Sequence, residues 1–214
     1  MKYILFLLFL FYVQTGQAQQ RETEQGESVT YIDVSGSALL FGDWKTGIVR
    51  FNSGRSTDQF KIKFDCIQHK LLLQFNGSAF STESKVKEFV LKLSGRDSML
   101  FRNGFPAFEK ETEGSYYQLL FQGHSQLLCL HFKEVIYEGQ LVAKTVYRRI
   151  KDVNRYLLYT NNQMIEIKGD KLLIPESFPA HKEALHQFIA EQGLKFRDAD
   201  DYIKLVAYYD SISK

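Results

Sequence analysis

The sequence predicts a mainly β (α+β) protein: an antiparallel meander forming a sandwich or open barrel, followed by a C-terminal pair of α-helices. Two observations carry this prediction. From Phe60 to Ile174 apolar residues recur with period two, in short runs separated by Gly and Asn, as in strands buried on one side. After Pro175 the period changes to that of a helix. A third observation, the absence of β-α-β alternation before Pro175, excludes a parallel α/β plan.

The chain opens on "MKYILFLLFLFYVQTGQAQQ". Lys2, the apolar run Tyr3 to Val13 and the small-residue end Gly16-Gln17-Ala18 form the pattern of a secretory signal peptide. The run is shorter than the ~20 residues that span a bilayer. The expected plan is therefore a signal peptide over 1–18, a flexible lead-in over 19–37, a β domain over 38–174 and a helix pair over 175–214. Cleavage near Ala18 would deliver the chain to the periplasm or the exterior. No later stretch has the length and apolarity of a membrane span. Without Lys2 the 27 basic residues become 26, against 25 acidic ones, a net charge of +1. That balance, together with export, argues against a general nucleic-acid binder.

The strands follow in order. "ALLFGDWKTGIVRFNSG" leads into "QFKIKFD", where Phe60, Ile62 and Phe64 share one face. Leu71, Leu73 and Phe75 do so in "KLLLQF", as do Phe89, Leu91 and Leu93 in "EFVLKL". Asn52-Ser53-Gly54, Asn76-Gly77, Gly95-Arg96-Asp97 and Asn103-Gly104 supply turn residues that tolerate positive φ. "YYQLLFQ", "QLLCLHF", "NRYLLYT", "QMIEIK" and "KLLI" continue the pattern around Gly123-His124, Asn161-Asn162 and Gly169-Asp170. Leu185, Phe188 and Ile189 then mark a first helix, with Pro179 in its first turn and Gly193 just past its end. Asp198 is placed to cap a second helix, whose stripe is Tyr202, Leu205, Val206, Tyr209 and Ile212. The sheet is the expected partner for both apolar faces.

Four features bear on chemistry. Gly123-His124-Ser125-Gln126 is four-fifths of the G-x-S-x-G elbow that raises the nucleophile of serine hydrolases. Asp152 or Asp170 and His181 or His186 follow it in the hydrolase order. Position five is Leu127, however, and the flanks fit a hairpin, so a turn is the better account. His124, Cys129 and His131 lie within eight residues, but strand parity puts His124 opposite the other two. No metal site or cofactor is assigned. "KTVYRRIKDVNRY" places Lys144, Arg148, Arg149, Lys151 and Arg155 among Tyr147 and Tyr156. It would suit a glycan or lipid headgroup, or simply a charged strand face. Cys66 and Cys129 could pair in an oxidising compartment or remain two buried thiols.

The Trp44-x-x-Gly47 start in "ALLFGDWKTGIVRFNSG", the segment "YYQLLFQGHSQLL" and the ending "FIAEQGLKFRDADDYIKLVAYYDSI" resemble a family of small exported proteins of Bacteroidota-type bacteria. The resemblance implies export and the same domain plan. It implies no activity and no catalytic residue, and the feature it shares at Gly123 is the turn. The function expected is that of an exported binding or envelope-associated protein without enzymatic activity. An exported serine hydrolase using Ser125 and a structural subunit of an envelope assembly are the alternatives.

Overall fold

The computed structural model describes residues 30–81, 85–140, 145–168 and 174–213. The expected signal peptide, the polar segment after it, Lys144 and the Gly169-Asp170 turn lie outside these residues.

The first half of the chain forms strands β1 (Thr30–Ser35), β2 (Lys45–Phe51), β3 (Ser56–Thr57), β4 (Lys61–Asp65), β5 (Lys70–Phe75), β6 (Ser78–Ser81), β7 (Val86–Lys92) and β8 (Ser98–Arg102). The second adds β9 (Tyr117–Gln122), β10 (Gln126–Gln140), β11 (Thr145–Thr160) and β12 (Gln163–Ile167). Two short 3₁₀ turns, Ile174–Ser177 and Pro179–His181, precede helices α1 (Lys182–Glu191) and α2 (Ala199–Ile212). The predicted mainly β fold with a C-terminal helix pair is the fold observed. The strands form one open sheet in the order β1-β11-β10-β9-β8-β7-β2-β4-β5-β6, with β12 also on β11 and β3 on β2. All pairings are antiparallel except β1 on β11, where Thr30 lies opposite Thr145. β1 therefore falls inside the stretch expected as a lead-in.

The predicted turns adopt the backbone their residues favour. Asn76-Gly77 and Asn161-Asn162 have φ of +48°, +83°, +49° and +60°, the mirror-image geometry that matches hairpin twist. Gly193 ends α1 at φ +63°, and Leu194 N–H donates to the Ile189 carbonyl at 3.1 Å. This is the cap expected from Gly193. Pro179 sits in the 3₁₀ turn before α1, so the α-helix starts three residues later than the apolar spacing implied. Asp198 caps α2 by accepting from Asp200 N–H at 3.1 Å.

Strand parity distributes the core over two faces. On the first face, register aligns Phe89, Phe101, Gln118, Cys129, Tyr156 and Ile167 across six strands. At one end of this face the sheet curls over itself. Phe64 of β4 reaches Phe89 and Phe101, with ring centroids 5.8 and 5.6 Å away. Gly47 makes the curl feasible, because a Cβ there would run into the Val90 carbonyl and come 2.8 Å from Ile62. At the other end the helices cover the same face. Leu185, Ile189, Leu205 and Val206 pack on Leu127, Leu158 and Ile167, and Tyr202 stacks on Tyr156 at 3.8 Å. On the reverse face Tyr117, Leu128, Leu130 and Leu157 lie under Phe105. That residue belongs to a strap, residues 103–116, crossing from β8 to β9. No helix among the described residues is long and apolar enough to cross a membrane.

Candidate functional site

The elbow-like residues close the β9–β10 hairpin. Gly123 N–H donates to the Ser125 carbonyl at 2.9 Å. Ser125 is fully buried, and its hydroxyl bonds Thr160 Oγ1 at 3.2 Å, not a histidine. The turn is held by Asp210, near the C-terminus of α2. Its carboxylate accepts from Ser125 N–H at 2.5 Å and from His124 N–H at 3.2 Å. A Cβ on Gly123 would run into this carboxylate and come 2.9 Å from Phe121. Gly123 is thus explained by the close approach of a helix side chain. Asp152 pairs with Lys133 at 2.9 Å, and His181 lies edge-on to Tyr209. His186 is exposed on α1, and Asp170 lies outside the described residues.

Cys129 and His131 do share a face of β10, and His124 sits in the turn. His131 Nε2 bonds Gln118 Oε1 at 2.6 Å. Burial lowers the His131 pKa, opposed by a hydrogen bond with Asn154 and the charge of Asp152. Cys66 and Cys129 are buried free thiols. Burial pushes each up to about 12, so neither is a thiolate at neutral pH. Among the described residues no group of three or more His, Cys, Asp or Glu side chains is gathered for a metal ion.

Of the basic stretch, Arg155 serves the strap. Arg155 donates to Glu109 at 2.7 and 2.8 Å and to Glu166 at 2.7 and 2.9 Å. It also lies over the Phe108 ring at 5.3 Å. Its guanidinium holds the Glu109 carboxyl below the usual range by hydrogen bonding. The side-chain fork is therefore consumed in pinning the strap to β11 and β12.

The pinned strap forms one wall of a cleft of about 590 Å³, within the size range of small-molecule sites. The turn between β4 and β5 forms the other wall. Asp65 Oδ1 makes that turn by accepting from Ile67 N–H at 2.9 Å and Gln68 N–H at 2.8 Å. The turn places His69 at φ +52°, a left-handed conformation that is uncommon for a side-chain-bearing residue. Across the cleft stands Glu111, with a side chain only 7 % exposed. Its Oε2 is 3.7 Å from His69 Nδ1, too far for a hydrogen bond. Among the described residues no donor hydrogen-bonds this carboxylate. His69 Nδ1 and the Tyr117 hydroxyl are also buried without a partner. Burial, and then the Glu111 charge, push Tyr117 up to about 12.

Buried polar groups are almost always hydrogen-bonded, and a buried carboxylate without donors costs several kcal/mol. A buried His69 Nδ1 without a partner, on a left-handed backbone, facing a Glu111 carboxylate that no protein donor meets among the described residues, marks a place shaped for something other than stability. A ligand hydroxyl can donate to Glu111 while accepting from His69, and so satisfy both across their gap. Neither residue stood out in the sequence, because its partner lies 42 positions away in the chain. One signal was present: Asp65 followed by "CIQHK" interrupts the strand alternation and marks a turn.

No protein-family model matches the chain, and no curated protein or solved structure matches it either.

Proposed function

We propose that this is an exported, non-enzymatic binding protein of the cell envelope or exterior, taking a hydroxyl-rich ligand such as a glycan in the His69–Glu111 cleft. The carrying observation is Glu111: a carboxylate 7 % exposed, lining an open cleft, with no hydrogen-bond donor of its own. The leader pattern over residues 1–18 supports export. The pairing of Ser125 with Thr160 favours binding over the hydrolase alternative.

The test is native mass spectrometry of the mature chain, gently isolated from its own envelope fraction. A mass above that of the chain is expected, with the excess lost in Glu111→Gln. A bare chain mass, or an excess unchanged by that substitution, opposes the proposal. Labelling by a fluorophosphonate probe that disappears in Ser125→Ala would replace it with the hydrolase reading.

A further inference from the structure

A second cleft, of about 570 Å³, opens where the strap begins. It lies on the reverse face of the sheet, where register sets Arg50, Glu88 and Arg102 side by side on β2, β7 and β8. One Glu88 oxygen is ion-paired with Arg50 Nη1 at 3.0 Å and the other accepts from Arg102 Nε at 2.9 Å. One carboxylate thus holds two guanidiniums, and the row keeps a net positive charge. Glu88 uses only the Nε of Arg102, and among the described residues neither Nη group of Arg102 has a hydrogen bond. Those two nitrogens form the planar edge that grips carboxylates and phosphates with paired bonds.

An independent observation comes from Gln126, which lines the same cleft. Its Oε1 is buried and has no hydrogen-bond partner. The amide nitrogen at the other end of the side chain is not buried in this way, so the NH₂ group, a donor, is the end of Gln126 that an acceptor-only ligand can reach. Two arginines and one amide donor thus line one cleft.

We propose that this cleft binds an oxyanion, either a carboxylate or a phosphoryl group. Arg102 grips it through its Nη edge, Arg50 supplies the second charge, and Gln126 donates from its amide. The inference is separate from the His69–Glu111 cleft and does not depend on it.

The test follows the side-chain N–H signals of Arg50, Arg102 and Gln126 in the ¹⁵N-labelled full chain by NMR. Inorganic phosphate and glucuronate are titrated separately, with ionic strength held constant by chloride. Saturable shifts of the Arg102 and Gln126 signals are expected. The tighter probe identifies a phosphoryl or a carboxylate source. Arg50→Gln, which leaves the Arg102–Glu88 pair in place, is expected to weaken the tighter probe about 10-fold, the effect of losing one charged contact. Glu111→Gln is expected to leave it unchanged. Shifts that stay linear with both probes, or an affinity unaltered in Arg50→Gln, overturn the proposal.

Discussion

Asp210 offers a direct way to perturb the attachment of the helix pair to the sheet. A carboxylate two residues before the end of α2 faces the negative end of the helix dipole, an arrangement that costs about 0.3–1 kcal/mol. What offsets that cost is the pair of backbone donors at the β9–β10 turn, Ser125 N–H at 2.5 Å and His124 N–H at 3.2 Å. Hydrogen bonds to charged groups contribute about 1.5–3 kcal/mol each, less for the longer, exposed one. Asp210→Asn keeps the shape, removes the charge and turns an NH₂ group toward one of the two donors. After allowing for the relieved dipole, the expected loss is about 2 kcal/mol. In a domain of this size that lowers Tm by roughly 4–8 °C. Urea unfolding is the assay, with an unchanged m-value showing that stability alone has moved. Because a Cβ on Gly123 would meet the same carboxylate, Gly123→Ala should cost less in an Asp210→Ala background than in the wild type. A loss below about 0.5 kcal/mol in Asp210→Asn, or strict additivity in the double variant, would refute the reasoning.

Three further outcomes are expected. Gly47→Ala should destabilise by about 1–3 kcal/mol or prevent folding, because the added methyl meets the Val90 carbonyl at the curl of the sheet; soluble yield and urea midpoint report it. His131 has a folded-state pKa lowered mainly by burial, so the folded chain binds this proton less readily than the unfolded one. Its contribution is complete above the unfolded value of about 6.5 and is lost as pH falls through the lower folded value. Stability should therefore decline below about pH 6.5, and His131→Gln should flatten that segment of the profile. Cys66 and Cys129, buried thiols pushed up to about 12, should resist a thiol reagent in the native chain at pH 8 and react promptly in urea; prompt reaction of either in the native chain would contradict their burial.

Local chemistry explains what could be read before the structure. Asn-Gly and Asn-Asn turns, alternation in β4 and β5, the Gly193 cap and the Asp198 cap each depend on residues within a few positions of one another, and each appears where the pattern placed it. The shared face of Cys129 and His131 held for the same reason, whereas His124 lies in the turn, where strand parity does not apply. The misplacements are long-range. β1 is a strand because it finds β11 more than 100 residues away. Arg155, one of the five cations of the basic stretch, is bound by Glu109 and Glu166, which no local pattern showed. The turn at Gly123 was read correctly, but the reason for a glycine there, a carboxylate 87 positions later, was not local. The His69–Glu111 cleft belongs to this second kind. It exists only once the strap is pinned across the sheet, and no local pattern announces it.

The central claim is that Glu111 is held ready for a ligand and does not serve the fold. Urea unfolding of Glu111→Gln against the wild-type chain tests it most directly. A carboxylate buried without donors destabilises its own fold, and an isosteric amide removes the charge. The account predicts a midpoint that is unchanged or raised, by up to about 1–3 kcal/mol in stability. A fall of more than about 1 kcal/mol would show that the carboxylate is a structural partner, most directly of His69, and would contradict the claim.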